Sequence, residues 1–185
     1  MSQQELLNKV VQALNANKID YMITGSVASS FYGEPRSTHH IDVVISIGAP
    51  DVGRLAESFP ENEFYFDKEA FVDAIKNKRM VNVIDVREGD KIDFWVLSDE
   101  VFSRESFGRK TEVGFMGISI KFPTPEDVII SKLKWAKESG GSEKQIRDVA
   151  GVYEVCRDML DLKYIEKWIQ RLALKDLWEL AINKK

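Results

Sequence analysis

The chain has 185 residues, of which 44% are hydrophobic and 30% charged, with a formal charge of −4. That length and balance suit one folded domain, or one domain with a helical appendage, and the acidic balance argues against a general nucleic-acid coat. The single Cys156 excludes an internal disulfide and a cysteine-rich zinc site.

Residues 3–17 place Leu6, Leu7, Val10, Val11 and Leu14 at helical spacing and predict an amphipathic helix. The N-terminal stretch contains acid and lacks an apolar core, so it does not read as a secretory signal, and no apolar run is long enough to span a bilayer. A cytoplasmic protein is expected. Residues 19–24 form a short apolar run ended by Gly25, and 26–32 read as a short helix broken by Gly33-Glu34-Pro35. The β-branched run from His40 to Ile47 predicts a buried strand, followed by a helix over 50–59.

Residues 81–86 and 91–97 predict two strands across the turn Arg87-Glu88-Gly89-Asp90, and 111–115 and 118–122 a further pair across Met116-Gly117. After Pro123 the character changes. Helices are expected over 126–137, 143–160, 164–173 and 175–182, with Gly140-Gly141 as a linker. A mixed α/β part over 1–122 and a helical region over 123–185 packed on it follow from this order.

The stretch from Tyr21 to Ile45 carries the chemistry. An apolar strand ends in Gly25-Ser26, a short helix follows, and a strand then carries His40 and Asp42. Side chains alternate along a strand, so His40 and Asp42 share a face. Asp93 is a second acid within an apolar strand. Burying a lone carboxylate is costly, so two such acids suggest an exposed edge or a shared cation. Oxygen ligands of this kind suit Mg²⁺ and phosphoryl chemistry. A Gly-Ser turn ahead of a helix offers backbone N–H groups to an anion.

Ile23-Thr24-Gly25-Ser26, the lead Arg36-Ser37-Thr38-His39, and the later acid Asp93 together resemble the signature of the DNA-polymerase-β-type nucleotidyltransferase superfamily, in particular its small bacterial and archaeal toxin-like, abortive-infection members. Thr124-Pro125-Glu126-Asp127, Ser131-Lys132-Leu133 and Arg147-Asp148 are similar to the helices that follow the sheet in those members. The resemblance covers about residues 20–155. It implies an α/β (α+β) fold, a mixed β-sheet flanked by helices, with a C-terminal helical part. It also implies metal-dependent transfer of a nucleoside monophosphate from an NTP such as ATP to a hydroxyl acceptor. That acceptor would be RNA, a protein or a small molecule.

By resemblance, Asp42 and Asp93 would be catalytic and would hold Mg²⁺ or Mn²⁺. Gly25, Ser26 and Arg36 would bind phosphates, and Lys132 would balance the triphosphate charge. Aligned on Arg36-x-Thr38, the first family acid falls on His40, a poor Mg²⁺ ligand that could take Mn²⁺ or Zn²⁺ instead. Transfer is therefore expected to be impaired. The alternative is a catalytically degraded nucleotide-binding or antitoxin-like regulatory module, with a partner protein or a second copy. For Asp148 the plain reading is an ion pair with Arg147 or Lys144, for Trp95 a place in the sheet core, and for Trp135, Trp168 and Trp178 helix packing.

Overall fold

The computed structural model describes residues 1–183, so Lys184 and Lys185 at the end of the expected 123–185 region lie outside the described residues. The chain divides into two compact units, one comprising residues 1–24 and 38–122, the other residues 25–37 and 123–185. Gly25–Ser37 thus belongs with the C-terminal helices.

The first unit opens with helix α1 (Gln3–Ala16). Ser2 caps it, accepting from the Glu5 amide, while the Glu5 carboxylate accepts from the Ser2 amide. This reciprocal arrangement satisfies two of the helix's free N–H groups. Leu6, Leu7, Val10, Val11 and Leu14 are buried, as their spacing requires. Each such side chain contributes about 1.5–3 kcal/mol on burial.

Five strands build the sheet: β1 (Asp20–Ile23), β2 (His40–Ser46), β3 (Phe64–Tyr65), β4 (Met80–Asp85) and β5 (Lys91–Val96), in the order β1-β2-β5-β4-β3. Only β2 and β5 run parallel; the other pairs are antiparallel. Helices α3 (Val52–Glu57) and α4 (Lys68–Asn77) lie between strands of this sheet, with a 3₁₀ turn over Ala49–Asp51, and α5 (Val101–Arg109) follows β5. β3, α4 and α5 lie outside the elements expected from the sequence.

Alternation sorts the two sheet faces. Ile41, Val43, Ile45, Ile92, Phe94 and Val83 are fully buried on one of them. Phe94 meets Phe71 at 5.5 Å and Phe59 at 6.3 Å, so an aromatic cluster covers that face. The opposite face carries His40, Asp42 and Asp93. A hairpin of β6 (Thr111–Phe115) and β7 (Ile118–Phe122) completes the unit. Lys110 and Lys121 each reach an oxygen of Asp20 at 2.9 Å, tying the hairpin to the start of β1.

The second unit holds α2 (Gly25–Tyr32), α6 (Pro125–Glu138), α7 (Glu143–Cys156), α8 (Leu162–Leu172) and α9 (Lys175–Ile182). The expected helix over 143–160 ends as α at Cys156 and continues as a 3₁₀ turn over Arg157–Met159. Thr124 caps α6 and Pro125 occupies its first turn. Asp127, with no exposed surface, accepts from the Tyr164 hydroxyl at 2.7 Å, which joins α6 to α8. Gly33 closes α2 against α7: a Cβ there would lie 2.9 Å from the Val152 amide nitrogen. Among the described residues no helix is long and apolar enough to cross a membrane.

Candidate functional site

In the sheet unit, the parallel pairing of β2 and β5 sets Asp42 directly beside Asp93. Lateral partners in a ladder share a face, so the two carboxylates stand side by side. Asp93 is largely buried, with 13% of its side chain exposed, and the His40 ring, half exposed, places Nδ1 3.1 Å from Asp93 Oδ2. A carboxylate only accepts, so His40 Nδ1 carries the proton of that bond. The Trp95 indole donates Nε1–H to Asp42 Oδ1 at 3.2 Å.

Trp95 is half-buried on the carboxylate face rather than in the sheet core, because it follows Asp93 by two residues on β5. Spacing alone would have placed it there. Thr24, opposite Asp42, donates its amide to the Asp42 carbonyl at 2.9 Å and extends the β1–β2 ladder by one residue. His39 lies on Asp90 at 3.2 Å and is strongly exposed.

This donor set suits one small hard cation. Two adjacent carboxylates supply oxygen, and Mg²⁺ takes one or two carboxylates with water and substrate phosphates completing its shell. Among the described residues no three His, Cys, Asp or Glu side chains gather as a metal-binding group. The β2–β5 register puts the Asp42 and Asp93 carboxylates on this face.

In the helical unit a second cluster forms around Asp148 of α7. Lys132 of α6 reaches Asp148 Oδ2 at 2.7 Å. Arg36 donates from Nε to Oδ1 at 3.1 Å and from Nη2 to Oδ2 at 3.0 Å, a two-pronged pair. Arg36 Nη2 also donates to Ser26 Oγ at 2.6 Å, and Ser29 Oγ lies 3.3 Å from Asp148 Oδ2. The partners expected for Asp148 were Arg147 or Lys144; its partners are Lys132 and Arg36, from other elements. No local spacing announces a contact between helices that depends on how they pack.

The side chains of Lys132 and Asp148 are each 7% exposed. Burial opposes ionisation of Asp148, but the Arg36 hydrogen bonds and the Lys132 charge outweigh it and hold the carboxyl below the usual range. Two cations thus share the Asp148 carboxylate. Ser26, accepting from Arg36, keeps its own hydroxyl proton to donate. Gly25 begins α2 with φ of +62°, a left-handed conformation that disfavours any other residue. Asp148 and Arg36 line a cleft together with Ser29, Glu34, Arg147 and Gly151.

No protein-family model matches the sequence, and no curated protein is significantly similar to it. Solved structures are similar in fold. ANT(2″)-Ia, in a crystal structure with adenylyl-2″-tobramycin, is 14% identical with a TM-score of 0.60, over 95% of this chain and 99% of that one. An antigenic nucleotidyltransferase-like protein from Paracoccidioides brasiliensis is 18% identical with a TM-score of 0.55, over 96% and 92%. The lincosamide antibiotic adenylyltransferase LnuA, lincomycin-bound, is 11% identical with a TM-score of 0.56, over 84% and 98%. The matches cover nearly the full length of these proteins, and with its five-stranded mixed sheet flanked by helices this chain has the nucleotidyltransferase-like fold.

Proposed function

We propose that the protein transfers a nucleoside monophosphate from an NTP, ATP among them, to a hydroxyl acceptor. The observation that carries this reading is the lateral pairing of Asp42 with Asp93 on one sheet face. These two residues would hold one Mg²⁺ or Mn²⁺. When bound, such an ion neutralises phosphate charge and makes the attacking hydroxyl more acidic. Gly25 and Ser26, at the start of α2, would offer backbone N–H groups and a hydroxyl proton to phosphate oxygens. Lys132 and Arg36 would balance the remaining negative charge, pre-positioned by Asp148 so that little reorganisation accompanies reaction. The acceptor oxygen would form its bond to the α-phosphorus as the bond to the β-phosphate oxygen breaks, and pyrophosphate would leave.

Acceptors worth testing include RNA, protein and small molecules. The tobramycin and lincomycin named with two structural neighbours support including hydroxyl-bearing antibiotics. Labelled α-phosphate of an NTP, offered with Mg²⁺ and then Mn²⁺, should appear on one of these acceptors. No transfer to any of them, with H40D equally silent, would remove the reading.

A second reading rests on His40, which stands where the resemblance implies the first acid. An acid missing at position 40 would weaken the hold on cations. The fold would then serve as a nucleotide-binding, antitoxin-like or regulatory module, related to the toxin-like members and working with a partner protein or a second copy. Under this reading the unmodified protein binds NTP without turnover, and H40D strengthens Mg²⁺-dependent binding.

A further inference from the structure

Each member of the carboxylate pair is held by a ring N–H from its own sheet face: Asp93 by His40 Nδ1 at 3.1 Å and Asp42 by Trp95 Nε1 at 3.2 Å. We propose that His40 and Trp95 are positioning residues that orient Asp93 and Asp42 toward a divalent cation, and that His40 is not itself a ligand. This inference rests on the reading of Asp42 and Asp93 as the cation's carboxylates.

Two observations carry it. First, His40 donates through Nδ1, so the lone pair of the neutral ring is on Nε2, at the ring's opposite edge. The nitrogen that faces the carboxylate has no electron pair to give a metal. Second, the indole N–H is a donor only and cannot ligate at all, yet it lies on the same face as the two acids, set there by the two-residue period of β5. Each hydrogen bond takes one oxygen of its carboxylate and fixes the plane of the group. Outer partners of this kind set ligand orientation, and their loss typically weakens metal affinity by about 10–100-fold.

The test is Mn²⁺ binding to the full chain, by titration calorimetry and by pulsed electron paramagnetic resonance, for the unmodified protein, W95F, H40A, H40N, D42N and D93N. W95F keeps the ring and removes the N–H, and H40N returns a donor near the Nδ1 position. W95F and H40A should each bind Mn²⁺ about tenfold more weakly, with H40N recovering most of the H40A loss. The resonance spectrum of the unmodified protein should show no directly bound nitrogen. A bound-nitrogen coupling lost in H40A, or affinities for W95F and H40A equal to the unmodified protein's, would overturn the proposal. D42N and D93N separate its failure from that of the underlying reading. If they abolish binding while W95F and H40A do not matter, only the positioning role falls; if they too bind normally, the carboxylate-pair reading falls with it. Circular dichroism on each variant excludes a lost fold.

Discussion

Removing the Asp148 carboxylate should destabilise the protein more than any single surface change. Lys132 sits opposite it at 2.7 Å with 7% of its side chain exposed, so in D148A a buried ammonium would lose the Asp148 anion. Breaking a buried ion pair from one side costs about 3–5 kcal/mol, because the remaining charge has lost its solvent and its partner. Arg36 adds less, since 27% of its side chain is exposed and can turn toward water. A loss near the lower end, about 3 kcal/mol, is expected for D148A, with a smaller loss for D148N, whose amide oxygen still accepts one donor. The partner test is K132M in the D148A background. With both charges gone, the double variant should be more stable than D148A alone. Urea denaturation followed by tryptophan fluorescence and circular dichroism reads all three. A D148A midpoint equal to the unmodified protein's, or a double variant whose losses simply add, would refute the buried-cluster reasoning.

The same carboxylate predicts a pH dependence. Its folded-state pKa is lowered, so its contribution is fully present above the ordinary aspartate value of about 4 and is lost as pH falls through the folded value. The stability gap between the unmodified protein and D148N should be constant from pH 7 to about 5 and narrow below about 4. G33A should cost about 1–3 kcal/mol in the same denaturation assay, since its Cβ would meet the Val152 backbone nitrogen at 2.9 Å. Y164F removes the hydroxyl that donates to the fully buried Asp127 and should cost about 1–3 kcal/mol, read as an earlier thermal midpoint. G25A forces an alanine into φ of +62° and should lower stability by about 1–2 kcal/mol, together with weaker NTP binding by calorimetry.

Local signals made most elements readable. The spacing of Leu6, Val10 and Leu14, the β-branched run after His40, and the Met116-Gly117 turn each set one element through short-range geometry, and the observed elements match to within a few residues. The two-residue β3 is too short to carry a periodic pattern. α4 was readable in principle, from the Asp67 cap and the buried Phe71 and Ala74. That His40 and Asp42 share a face followed from strand alternation. That Asp42 pairs with Asp93 depends on the parallel register of β2 and β5, which no local pattern states. Trp95 was hidden for a different reason: an indole in an apolar strand reads as core, although its position two residues beyond Asp93 already assigned it to the carboxylate face. Trp135 is likewise 45% exposed where packing was expected, whereas Trp168 is buried and Trp178 meets Tyr153 edge-on. The residues that hold Asp148 could not be read locally, because Arg36 and Lys132 reach it from elements far apart in the chain.

Joint action of Asp42 and Asp93 on one cation and an NTP can be read from calorimetric binding of a non-hydrolysable ATP analogue with and without Mn²⁺, for the unmodified protein, D42N and D93N. Binding that strengthens with Mn²⁺, and loses that dependence in either variant, is the predicted result. Binding that ignores Mn²⁺ in the unmodified protein, or keeps its full dependence in D42N and D93N, would contradict the account.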